Sequence, residues 1–176
     1  MATLTTPQPA RHPSPTVKAR KLAYLLFERP DLEKAERFLN DFGLHTVSRS
    51  SEALYLRGTD PEPFCYRVAK GDEAGFVGIG FEVGTRQELE RLSQLPDASS
   101  IQPADYPGGG ERVRLTDPSG FTVEAIHGQT PAAPLPHRAA LPINFPEQQP
   151  RVNDTQRPPV APPEVMRLGH VVLEVA

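Results

Sequence analysis

Apolar residues along this chain fall into short runs separated by turn-forming residues, and the period of the runs switches between strand-like and helical. From Lys21 to Glu28 both alternating sets are apolar, Leu22, Tyr24 and Leu26 on one side and Ala23, Leu25 and Phe27 on the other. A strand with two apolar faces is one covered on both sides. Pro30 and Asp31 then open a helix with Asp31 as its N-cap. Leu32, Ala35, Leu39 and Phe42 recur at helical spacing, and Gly43 stands where such a helix ends. Three short strands follow, around 46–49, 53–57 and 64–69, with turns at Ser50-Ser51 and Gly58-Thr59-Asp60-Pro61.

The same order then returns. Residues 76–83 read as a strand, and Thr85-Arg86-Gln87-Glu88 has the spacing of a capping box. Leu89, Leu92 and Leu95 follow on a helix that Pro96 stops. A weak strand near 100–103 precedes better ones at 112–116 and 121–126, joined by the tight turn Asp117-Pro118-Ser119-Gly120. The expected helices span 31–42 and 86–95. The chain thus predicts β-α-β-β-β twice, over 21–70 and 75–128. One such unit is too small to bury its own sheet face. Two of them imply an α+β domain over 21–128, the paired units curling into an open, cup-like barrel with helices outside.

The flanks differ in composition. Residues 1–20 predict a disordered tail. Ten of the 21 prolines fall between Pro131 and Pro163, so 129–166 predict an extended, semi-rigid linker without ladders or helices. Arg167-Leu168-Gly169-His170-Val171-Val172-Leu173-Glu174-Val175 is again a strand pattern, and it stops at Ala176.

The formal net charge of -3, spread without basic stripes or acidic runs, gives no reason to expect nucleic acid or an anionic membrane surface as partner. No secretory leader and no run of ~18 apolar residues is present. A single cysteine, Cys65, excludes an internal disulfide and fits a reducing compartment; its apolar setting reads as a buried small hydrophobe. The expectation is a soluble, cytoplasmic protein. Gly108-Gly109-Gly110 lacks the Lys-Ser/Thr and the helix of a phosphate-binding loop and reads as a hairpin connection. His127 reads as a solvated turn residue, His45 as a surface residue, and His12 and His137 as exposed members of Pro-rich segments.

Leu115-Thr116-Asp117-Pro118-Ser119-Gly120-Phe121-Thr122-Val123-Glu124, Val77-Gly78-Ile79-Gly80-Phe81-Glu82-Val83 and the Arg167–Val175 run resemble motifs of the vicinal oxygen chelate superfamily of glyoxalases, bleomycin-resistance proteins and type I extradiol dioxygenases. The resemblance covers 21–128 and the last ten residues. It implies a metal site of two His and one Glu, suited to Fe(II) or another divalent ion. On that pattern Glu124 occupies the carboxylate position, while Tyr24 and Gly78 occupy the imidazole positions. One carboxylate without imidazoles does not make a divalent-metal site, so Glu124 reads as structural or solvent-contacting. His170 reads as the first ligand of an incomplete site whose partners lie beyond the chain end.

The layout resembles the N-terminal, ligand-poor domain of a two-domain extradiol dioxygenase. By that resemblance the full-length parent would use Fe(II), a catechol-type substrate and O₂, with a homo-oligomer possible. This chain alone would bind no metal specifically and be inactive, 21–128 serving as scaffold and 167–176 as the first strand of the metal-binding domain. The alternatives are a metal-free binding module of the bleomycin-resistance type and a glyoxalase- or isomerase-like protein.

Overall fold

The computed structural model describes residues 13–140, 142–152 and 160–174. The element order is β1 (Lys21–Arg29), α1 (Leu32–Asp41), β2 (His45–Arg49), β3 (Ala53–Arg57), β4 (Tyr66–Lys70), β5 (Gly75–Glu82), α2 (Arg86–Leu92), β6 (Gln102–Pro103), β7 (Glu111–Thr116) and β8 (Thr122–His127). The sequence strand-helix-strand-strand-strand therefore runs twice. All the strands join one mixed sheet in the order β2-β3-β4-β1-β5-β8-β7-β6, which is not closed: β2 and β6 are its edges. The two halves mirror each other. β1 pairs parallel with β4 and β5 pairs parallel with β8, while β1 and β5 meet antiparallel at the centre.

Each helix forms for local reasons and then packs on its own half-sheet. The Asp31 carboxylate accepts from the Lys34 amide at 2.9 Å and caps α1. Leu32 and Leu39 join Leu44, Leu54, Leu56 and Val68 in one buried cluster. Phe42, expected on that face, is instead 59 % exposed, because α1 ends at Asp41 and Gly43 turns the chain away with φ +103°. In α2 the capping box forms in full: Glu88 N–H donates to Thr85 Oγ1 at 3.3 Å and Glu88 Oε2 accepts from the Thr85 amide at 2.9 Å. Leu89 and Leu92 pack on Val83, Val113 and Ala125. The helix ends three residues before the expected Leu95, which is half-exposed. Thr85→Ala is expected to lower the unfolding free energy by about 1 kcal/mol, seen as an earlier urea midpoint with an unchanged slope.

The third cluster lies on the other face of the sheet: Ala23, Tyr24, Leu26, Phe64, Ala104 and Ile126. Strict alternation along β1 is broken by a register shift between Leu22 and Tyr24, and Ala23 and Tyr24 enter the same cluster. Leu25 takes the opposite face, beside Leu39, Phe42 and Leu44.

The flanks are held more firmly than their composition suggests. Residues 1–12 of the expected tail lie outside the described residues, but Val17 packs on the α2 cluster and the Arg20 amide donates to Glu82 O at 2.8 Å. The Pro-rich stretch is pinned to the domain rather than standing free. Ala132 N–H donates to Pro61 O at 2.8 Å, Leu135 N–H to Thr59 O at 2.8 Å, and Arg57 Nη2 to Ala133 O at 2.6 Å. Among the described residues 160–174 there is no strand. Of the strand expected over 167–175, the described residues 167–174 are irregular, because an apolar run becomes a strand only beside a partner strand and none is paired with them. Its approach docks nevertheless: Val165 O and Met166 O accept from Thr59 N–H and Asp60 N–H, both at 3.0 Å, and Leu168 packs on the α1 cluster. Val175 and Ala176 lie outside the described residues.

Candidate functional site

Glu124 is a fully buried carboxylate, with 0 % exposure. It sits on β8 opposite Arg114 of β7, because the Asp117–Phe121 turn sets that hairpin's register from Thr116↔Thr122 back to Arg114↔Glu124. Asp117 holds the turn, its Oδ1 accepting from the Ser119 and Phe121 amides at 2.9 and 2.8 Å. Burying a carboxylate costs several kcal/mol unless donors surround it. Here they do. Tyr24 Oη donates to Glu124 Oε2 at 2.9 Å, and Tyr106 Oη lies 3.2 and 3.3 Å from the two oxygens. Arg114 donates through Nη2 and Nε to Oε1 at 2.9 and 3.1 Å, and Arg112 Nη1 forms an ion pair at 3.5 Å. Glu124 is thus structural and does not contact solvent.

Tyr24 fits only because β5 carries glycine beside it. Gly80 is its register partner on β5 and also pairs with Glu124 on β8. A Cβ on Gly80 would come within 2.2 Å of the Tyr24 ring. Gly80, rather than Gly78, is therefore the position between Tyr24 and Glu124; Gly78 lies two residues away, opposite Leu26 and Thr122. The Tyr24 ring stacks on Phe64 at 4.6 Å and meets Tyr106 edge-on at 5.8 Å. Burial, then the charge of Glu124, hold the Tyr24 phenol well above its ordinary 10.0. The same two causes, in the same order, raise Tyr106.

A cavity of about 690 Å³ opens beside this cluster, walled by Tyr55, Arg67, Tyr106, Pro107, Arg112 and Arg114 among others. Tyr55 of β3 and Tyr106, just beyond β6, approach to 5.8 Å between ring centres. Arg67 Nε donates to Tyr55 Oη at 3.3 Å. None of Tyr55, Arg67, Tyr106 or Arg112 stands out in the sequence, because their meeting depends on strands distant in the chain.

This donor set does not fit a divalent metal. Glu124 is surrounded by phenols and guanidiniums, which compete for its oxygens and bring positive charge, where an ion would need neutral imidazoles or further carboxylates. Among the described residues no group of three or more His, Cys, Asp or Glu is placed to hold an ion. His170 is exposed and borders a cleft with Leu25, Phe42 and Leu44, on the α1 side of the sheet, whereas Glu124 faces the other side. His127 ends β8, half-buried, with Nδ1 at 3.2 Å from Val83 O, so it is not a turn residue. His45 is exposed at the start of β2, and Cys65 is buried in the α1 cluster. The three glycines at 108–110 all have positive φ and form the β6–β7 connection. Among the described residues no helix is long and apolar enough to cross a membrane.

No family model matches the sequence, and no curated protein matches it. Solved structures do. The Mn(II)-bound glyoxalase from Novosphingobium aromaticivorans matches with a TM-score of 0.63 at 18 % identity, over 69 % of this chain and 43 % of its own. An extradiol ring-cleaving dioxygenase from B. fuscum matches at 0.59 and 22 % identity, over 70 % and 36 %. Homoprotocatechuate 2,3-dioxygenase from Brevibacterium fuscum, complexed with 3,4-dihydroxyphenylacetate, matches at 0.59 and 22 %, over 72 % and 42 %. The chain spans well under half the length of these proteins. Its fold is shared with a glyoxalase and with extradiol dioxygenases.

Proposed function

We propose that residues 21–128 are the metal-free half of an extradiol-dioxygenase-type protein, a scaffold that buttresses a second, metal-binding domain. In this reading the paired units 21–70 and 75–128 curl into an open cup, 129–166 is a strap along its outside, and His170 is the first metal ligand of the second domain. The observation that carries it is the capture of Glu124 by Tyr24, Tyr106, Arg112 and Arg114. A carboxylate so engaged serves the core rather than a metal. The curl is supported by the Tyr55–Tyr106 contact. β3 and β6 lie six places apart in the sheet order, roughly 29 Å in a flat sheet at ~4.8 Å per strand, yet these rings approach to 5.8 Å.

Fe(II) bound in the second domain would supply open coordination positions for a catechol-type substrate and O₂. The chain's own part is mechanical: a rigid sheet, pinned by the Pro-rich strap, on which that domain rests. A cytoplasmic setting and possible self-association belong to the same proposal. The test is oxygen uptake by the longer protein containing this chain, with catechols and Fe(II); uptake is expected to survive Glu124→Gln with only a stability loss. No uptake with any catechol, or loss of stoichiometric iron on that substitution, would overturn it. A second reading, a metal-free small-molecule binding module, is favoured by the aromatic and arginine-lined cavity beside Tyr106.

A further inference from the structure

We infer that this cavity is a binding site for a small organic carboxylate with a flat, apolar body. The inference rests on the second reading above and needs no iron chemistry. Its strongest element is Arg112. The guanidinium lies 4.4 Å from the centre of the Tyr106 ring, and the side chain is only 14 % exposed. Nε and Nη1 are both buried without a hydrogen-bond partner, although Nη1 is ion-paired with Glu124 at 3.5 Å. Buried guanidinium N–H groups are costly to leave unbonded. Glu124 does not fill them, because its oxygens are taken by Tyr24, Tyr106 and Arg114. Arg112 therefore stands at the cavity wall as a largely desolvated cation, with Nε and Nη1 themselves closed off from solvent.

Arg67 adds a second cation. Its guanidinium carbon lies 5.6 Å from the Tyr106 ring centre and 5.9 Å from that of Tyr55. Two guanidiniums thus flank one tyrosine ring, and with Arg114 three line the same cavity. Glu52 and Asp105 also line it, but both are exposed to solvent, where water screens their charge. Arg67 and Arg112, both partly buried, therefore dominate the interior, while Arg114 is exposed like the two acids and is already paired with Glu124. Planar guanidiniums match carboxylates in geometry and charge. The remaining wall comprises Val47, Ala53, Tyr55, Tyr106 and Pro107, which offer rings and flat apolar surface, with Ser48 and Ser50 as its further polar groups. A neutral ligand would leave the guanidinium charge unpaired, and a bare inorganic anion would not use the apolar part of that wall.

The test is calorimetric titration of the full 176-residue chain with benzoate and with phenylacetate, using benzamide as the uncharged control. Saturable one-to-one binding of at least one carboxylate is expected, with benzamide at least about tenfold weaker. Arg112→Gln should weaken binding by about ten- to a hundredfold, and Arg67→Gln by at least about threefold. Arg112 pairs with Glu124, so Arg112→Gln is accompanied by a melting curve. Should it fail to fold, Arg67→Gln, which has no contact with Glu124, carries the test alone. Equal binding of benzamide overturns the carboxylate assignment while leaving a binding module. Absence of saturable binding by all three probes overturns the site and the second reading together. Unchanged affinity in a folded Arg67→Gln variant also overturns the site.

Discussion

Tyr24→Ala is expected to lower the unfolding free energy by about 3–5 kcal/mol, the largest single-residue effect anticipated here. The ring is fully buried, stacks on Phe64 at 4.6 Å and stands edge-on to Tyr106 at 5.8 Å. Gly80 lies beneath it and has no side chain with which to fill the space. Losing the hydroxyl also strips Glu124 Oε2 of its 2.9 Å donor, leaving only Tyr106 at 3.2 Å. Tyr24→Phe separates these contributions. It keeps the ring and removes the donor, and a cost of about 1–3 kcal/mol is expected for a buried carboxylate so deprived. Urea unfolding monitored by far-UV dichroism measures both, provided the slope is unchanged. A Tyr24→Ala cost near 1 kcal/mol would mean that the centre of the sheet is loosely packed, and that Glu124 does not depend on Tyr24.

That network shows where sequence reading succeeds and where it stops. The strands and helices were legible because their signals are local: Asp31 and Thr85 cap their own helices, and Gly43 supplies the positive φ that ends α1. Glu124 was legible through the Asp-Pro-Ser-Gly turn before it. Arg114 could have been found the same way, since the turn sets the hairpin register and counting back from Thr116↔Thr122 reaches Arg114↔Glu124. Tyr106, Arg112 and Tyr55 could not. Tyr106 lies in a segment that reads as loop, and its contacts come from β3 and β8, far apart in the chain. Gly78 comes from aligning the two units, which does not fix how β1 pairs with β5; there Tyr24 meets Gly80 and Gly78 meets Leu26. Among the described residues of 129–166 there is no helix and no strand pairing beyond an isolated bridge between Phe145 and Gln148, but proline content says nothing about attachment; the backbone donors of Ala132 and Leu135 hold residues 132–135 to the loop at 59–61.

Alkaline pH is expected to destabilise the domain steeply, beginning near pH 9. Burial pushes the Cys65 thiol up to about 11 from 9.0, and burial likewise raises Tyr24, Tyr66 and Tyr106 above 10.0. The sign follows from proton counting. Above pH 9 the unfolded chain sheds the thiol proton while the folded chain keeps it, so the folded state binds more protons and its stability falls as pH rises. Stability from these groups is fully present below their unfolded values and is lost on the way up through the folded ones. Cys65 alone accounts for about 2–3 kcal/mol between pH 9 and about 11. The tyrosines extend the loss above pH 10, with Tyr24 held highest by its burial and by the neighbouring Glu124. Melting temperatures measured from pH 7 to 11 should be level at first and then fall. Cys65→Ala should start lower, because it opens a small cavity in the α1 cluster, yet descend less between pH 9 and 11. Tyr24→Phe should flatten the segment above pH 10. A level profile up to pH 11, or a Cys65→Ala profile parallel to that of the unaltered chain, would show that these groups are reached by water in the folded state and that the core around β1 and β4 is more open than its packing indicates.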